Sequence, residues 1–252
     1  MNTQPDREPH QKGTNMDSEQ VFRFDCSPGV PCFTQCCRDV AIVLTPYDVL
    51  RLKRGIGISS DKFIENHTII IPKKKRLIPL VMLKLNETDK RCPFVTEKGC
   101  IVYNDRPWAC RMYPLDMRDD GTFQLVTNSS RCLGLNETER WRIGDWLVEQ
   151  GVIPYDEMNT LFSQITMPLQ AQELDIDNPD ITKMVFMATY NLDKFREFVL
   201  NSTFLDRLEV DPMRVEKIKR SDRELLIFGL DWIKFGIFGQ ILFRVKQDLS
   251  RS

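Results

Sequence analysis

The chain has 252 residues, 42% hydrophobic and 28% charged, with 12 glycines and 14 prolines, which is globular composition with room for one large or two small domains. Lys plus Arg total 35 against 36 Asp plus Glu, a formal charge of -1, which excludes a general nucleic-acid binder that relies on a basic excess. No run approaches the roughly 18 apolar residues of a membrane span, and the polar opening around Met1, Asn2 and Thr3 lacks a signal core, so a soluble cytoplasmic protein is expected.

Residues 1–20 carry few apolar side chains and are expected to form a mobile polar tail. Residues 40–44 (Val-Ala-Ile-Val-Leu) read as a short buried strand. Thr45 and Pro46 then supply the cap and first position of a helix over 47–54 that Gly55 should stop. Ser59, Ser60 and Asp61 open a second helix to about Asn66, followed by strands at 68–71 and 77–85 around a basic turn, Lys73, Lys74, Lys75 and Arg76. Short strands are expected at 99–103 and 122–127. From Asn136, with Glu139 in capping-box position, the pattern turns helical: a first helix to Gly151, then helices at 154–165, 179–200, 211–219 and 221–245. The last contains Trp232 and Phe235 and reads as a core or partner helix. The fold class expected is α+β: a cysteine-rich metal-binding α/β domain over 21–135, then a mostly helical region over 136–252 packed on it.

All eight cysteines, Cys26, Cys32, Cys36, Cys37, Cys92, Cys100, Cys110 and Cys132, lie between residues 26 and 132, where 17 basic residues face 11 acidic ones. The spacing, Cys26-x5-Cys32-x3-Cys36-Cys37 and later Cys92-x7-Cys100-x9-Cys110-x21-Cys132, contains no C-x2-C, which argues against zinc ribbons, thioredoxin-like pairs and small bacterial ferredoxins. A radical-type iron–sulfur loop would need a cysteine where Asp39 stands. The remaining reading is a metal site assembled from distant segments; thiolates suit zinc and iron–sulfur clusters, and the eight could form two four-thiolate sites or one site with spares. Neighbouring cationic residues would offset the charge of such a centre.

Cys26…Cys32-x3-Cys36-Cys37, Cys92-Pro93-Phe94, Gly99-Cys100-Ile101-Val102-Tyr103, Arg106-Pro107-x2-Cys110-Arg111-x-Tyr113-Pro114 and Cys132 together resemble the eight-cysteine family of zinc- or iron-chelating domains, also called the YkgJ-type cysteine cluster family. The resemblance covers roughly residues 22–135. It implies metal chelation by the cysteines, with a 4Fe-4S cluster ahead of Zn2+, and an oxidoreductase or electron-transfer role. Flagellin lysine N-methylases, which use S-adenosylmethionine, are its best-defined relatives and supply a second reading. A third is a metal-stabilised protein-interaction module whose helical half binds a protein partner or substrate. Within the matched motifs, Gly99 would allow close approach before Cys100, and Pro107 and Pro114 would stiffen the segment holding Cys110. Arg106 and Arg111 flank Cys110 and are candidates to donate to cluster sulfur or to a carboxylate such as Asp105 or Asp116.

Other chemistry has little support. Of the two histidines, His10 falls in the expected tail and His67 reads as a helix-end residue. Neither a G-x4-G-K-[ST] loop nor a strand followed by G-x-G-x2-G occurs. Asp175, Asp177 and Asp180 lack the glycine and terminal glutamate of a calcium loop and read as a linker leading into a helix.

Overall fold

The computed structural model describes residues 15–72, 77–171 and 178–246. The basic turn at 73–76, His10 and the Asp175–Asp177 linker lie outside the described residues. The architecture is α+β, with helices and two-stranded antiparallel ladders, and the chain divides into two units that exchange segments: Met1–Val40 with Leu85–Pro154, and Ala41–Lys84 with Tyr155–Ser252. This division differs from the expected boundary at 135. The helices and hairpin of 41–84 cluster with the C-terminal helices, and residues 136–154 cluster with the cysteine-bearing segments.

Three ladders organise the first unit. Val21–Arg23 pairs with Arg140–Arg142, Val95–Thr96 with Gly99–Cys100, and Leu115–Met117 with Phe123–Leu125. Strand alternation decides what is buried: Val21 and Arg23 are exposed while Phe22 points inward. Phe22 and Phe24 meet Trp146 edge-on at 5.8 and 5.2 Å between ring centroids, and Met112, Leu115, Leu125 and Ile143 complete the core. Two expectations change here. Trp141 does not open a helix: Arg140–Arg142 is a strand, its indole N–H donates to the Phe24 carbonyl at 3.0 Å, and the helix begins at Ile143. Part of the expected tail is structured, since Met16 is 1% exposed and exchanges two backbone hydrogen bonds with Phe123 at 2.8 and 2.7 Å.

In the second unit, the helix Pro46–Ile56 begins with a capping box in which the Thr45 N–H donates to Asp48 Oδ2 at 2.8 Å. The helix passes through Gly55 and ends at Gly57. Ser60–His67 leads into the hairpin Thr68–Ile71 with Leu80–Leu83, and Val43 bridges to Met82, so the expected strand at 40–44 is reduced to a short third edge. The long pattern at 179–200 breaks into Pro179–Thr189 and Leu192–Asn201. The last helix, Asp222–Phe238, stops at Gly239. Its aromatic residues are used internally: Trp232 packs against Phe195 and Phe204, and Phe235 against Phe243. Lys53, only 6% exposed, sits between Asp193 and Asp222 at 3.0 Å from each, and the Ser60 N–H donates to Asp193 at 2.6 Å. These contacts tie residues 41–84 to the later helices. Among the described residues, no helix is long and apolar enough to cross a membrane.

Candidate metal centre

All eight cysteines belong to the first unit, and none is in a disulfide. Cys26 leaves the first strand beside Asp25, whose N–H donates to the Gly134 carbonyl at 3.1 Å. Cys32, Cys36 and Cys37 follow in a chain of tight turns: the Gln35 N–H donates to the Cys32 carbonyl at 2.9 Å and the Cys37 N–H to the Thr34 carbonyl at 3.0 Å. Thr34 (φ 64°) and Asp39 (φ 53°) bracket the vicinal pair, both in the left-handed region that side chains other than glycine enter at a cost of about 1–2 kcal/mol. Such strain persists where the surroundings hold it, commonly at functional loops.

Cys92 is fixed to this loop through its N–H, which donates to the Cys37 carbonyl at 2.8 Å. The hairpin from Val95 to Cys100 then returns the chain, turning at Gly99 (φ 112°), where a Cβ would lie 3.2 Å from Phe33 Cζ. Only glycine suits that turn. Cys110 lies on the short helix Trp108–Met112, entered through Pro107. Cys132, the buried member, precedes the turn Leu133–Asn136, and the Leu133 N–H donates to Cys32 Sγ at 3.2 Å.

The thiols influence one another in two groups that meet at the hydrogen-bonded Cys36–Cys37 pair. Burial first, then the charges of Cys36, Cys132 and Cys32, push Cys26 up to about 12. Burial likewise raises Cys132; the Tyr113 hydroxyl opposes this, and Cys32 and Cys36 add to it. Cys37 donates to the Cys36 thiol, which lowers Cys36 to about 7. Cys37 itself is raised well above the thiol range, by that bond first, then by burial and by the charges of Cys36, Cys110 and Cys92. Burial also raises Cys92, with Cys100 as its thiol neighbour, and Cys100, where the Arg106 charge works in the opposite direction. The raised thiols, unlike Cys36, resist ionisation until a cation shares their charge.

Arg106 and Arg111 are both buried. Arg106 stacks 3.8 Å over the Tyr103 ring and donates to the Tyr103 carbonyl and Gln150 Oε1, each at 2.5 Å. Arg111 donates to the carbonyls of Arg106 (3.0 Å), Gln150 (2.5 Å) and Asn104 (2.6 Å). These bonds run to backbone and amide oxygens. Arg106 is also a charge neighbour of Cys100 and Cys110, whereas Arg111 pins the segment between Asn104 and Gln150. Two further residues shape the site: Tyr113, whose sequence signal is its place in the Cys110 motif, hydrogen-bonds Cys132, and Gly134, signalled only by its nearness to Cys132, packs against the Asp25 carbonyl. His67 belongs to the second unit, its ring 5.5 Å from Phe63.

Among the described residues, no three His, Cys, Asp or Glu side chains are already drawn into an arrangement that holds an ion. The chemistry of the donor set is nevertheless specific: eight sulfur donors gathered in one small unit suit thiophilic metals and are poor hosts for magnesium or calcium. Such a fold and donor set define a cysteine-cluster chelating domain. Residues 25–133, which contain every cysteine, match the family model described as "Putative zinc- or iron-chelating domain", and in this segment the chain is similar to the YkgJ-type cysteine cluster family. No curated protein and no solved structure matches the chain.

Proposed function

We propose that the protein is a cysteine-cluster metalloprotein whose eight thiolates hold iron as iron–sulfur clusters and that it transfers electrons. The observation that carries the reading is the gathering of all eight thiols, from segments more than 100 residues apart, within one unit. Sulfur-only donor sets select zinc or iron–sulfur clusters. The wide ligand spacing favours the larger centre over a compact zinc knuckle, and so does the Leu133 N–H on Cys32 sulfur, a contact of the kind that tunes cluster potentials. Bound iron–sulfur would supply one-electron chemistry, Arg106 a fixed positive charge beside Cys100 and Cys110, and Tyr113 a hydroxyl at Cys132. Zinc is the competing metal. The methylase and partner-module readings gain no comparable observation. Metal and acid-labile sulfide analysis of anaerobically purified protein tests the proposal: equimolar iron and sulfide with reversible bleaching on reduction is expected, and stoichiometric zinc without sulfide would refute it.

A further inference from the structure

We propose that the eight thiols form two separate four-thiolate metal sites per chain, one made by Cys26, Cys32, Cys36 and Cys132 and the other by Cys37, Cys92, Cys100 and Cys110. The inference rests on the reading that this domain binds metal.

The vicinal pair is where the two sites part. Cys36 and Cys37 lie on a 3₁₀ turn, in which successive side chains leave the axis roughly 120° apart. The two thiols stay within hydrogen-bond reach of each other and yet face different neighbours. On the Cys36 side, all four cysteines of the first set line one cavity, together with Asp25 and Tyr113, and no cysteine of the second set lines it. Two backbone contacts fix that wall: the Asp25 N–H on Gly134 O at 3.1 Å and the Leu133 N–H on Cys32 Sγ at 3.2 Å. On the Cys37 side, the Cys92 N–H donates to the Cys37 carbonyl at 2.8 Å, and the Val95 to Cys100 pairing returns Cys100 beside Cys92. Arg106 has Cys100 and Cys110 as charge neighbours. Each set therefore combines distant segments, and neither can be read from spacing alone. Because each set takes one member of the same dipeptide, the two centres are held close together.

Native mass spectrometry of the full-length chain loaded with zinc(II), or with iron and sulfide, counts the centres. Wild type is expected to hold two. Cys26→Ser/Cys132→Ser and Cys92→Ser/Cys100→Ser are expected to hold one each while keeping the wild-type far-ultraviolet spectrum. In case a variant does not fold, alkylation mapping of wild type at one zinc equivalent provides a second readout, with protection expected to follow the two sets. A single centre in wild type, loss of both centres in a folded double variant, or protection scattered across the sets overturns the division. Wild type that holds neither zinc nor iron overturns the metal-binding reading itself, a result distinct from an incorrect division.

Discussion

Gly134→Ala tests the wall of the first thiol set at one atom. A Cβ at this position would lie 2.2 Å from the Asp25 carbonyl oxygen and 3.2 Å from Phe24 Cε2. Carbon and oxygen settle at about 3.3 Å, so the backbone after Cys132 must retreat from the backbone before Cys26 by about 1 Å. Gly134 is buried, which leaves little slack. Overpacking of this kind costs about 1–3 kcal/mol, and weakening the Asp25 to Gly134 hydrogen bond adds about 1 kcal/mol. The expected loss is therefore about 2–4 kcal/mol, a large part of the roughly 5–15 kcal/mol that holds a protein folded. Gly144→Ala in the same unit is the internal control, because its Cβ would meet only the Ser18 carbonyl at 3.5 Å, within the helix Ile143–Glu149. That change should be neutral or stabilising by up to about 1 kcal/mol. Urea denaturation gives the stabilities and zinc stoichiometry the occupancy: Gly134→Ala should lose stability and weaken one centre, and Gly144→Ala should do neither. Equal midpoints for the two variants would refute the reasoning.

Gly229→Ala should destabilise the second unit by about 2–4 kcal/mol, since its Cβ would lie 2.5 Å from the Ala188 carbonyl; a thermal midpoint equal to wild type would contradict this. Lys53→Met should cost about 2 kcal/mol in urea melts, less than a fully buried pair because Asp193 and Asp222 are partly exposed and Asp222 keeps Arg196. Burial works to raise Asp193, but the Ser60 and Lys53 hydrogen bonds outweigh it and hold its carboxyl below the ordinary 3.8. A depressed folded-state value means stability that is present above the unfolded value and lost as pH falls through the folded one. The stability gap between wild type and Asp193→Asn should thus be constant at neutral pH and close below about pH 4; a gap that widens on acidification would show the sign to be wrong.

Much of the architecture is legible in local chemistry. Thr45, Pro46 and Asp48 announce their helix, Ser59 caps the next, and the paired runs at 68–71 and 80–83 form the hairpin. Legibility fails where partners are distant in sequence. Asn136 and Glu139 resemble a helix start, but the edge of Val21–Arg23 recruits Arg140–Arg142 as a strand, and the Trp141 indole finds the Phe24 carbonyl. Likewise, nothing local says that Lys53 will meet Asp193 and Asp222, and so nothing local assigns 41–84 to the helical unit. The cysteines show both cases: their clustering points to chelation, but the grouping of Cys26 with Cys132 depends on a contact between backbones 109 residues apart, Asp25 N–H to Gly134 O.

That contact bears on why the first unit would need metal. Its strands are two or three residues long, each ladder has only two strands, and isolated two-stranded ladders are marginal in water. The core beneath them is a dozen buried side chains, one of which is Cys132. The loop above carries left-handed Thr34 and Asp39, which oppose folding. Small units with such cores are commonly completed by a staple, and metal binding by thiolates then becomes folding free energy. Removing metal by chelation should therefore lower the melting temperature of this unit, and the loss should be read by tryptophan emission, since Trp108, Trp141 and Trp146 all lie within it. Metal-free protein whose emission midpoint equals that of the loaded protein would mean that the aromatic core around Trp146 suffices, and that the thiols are held for chemistry rather than for the fold.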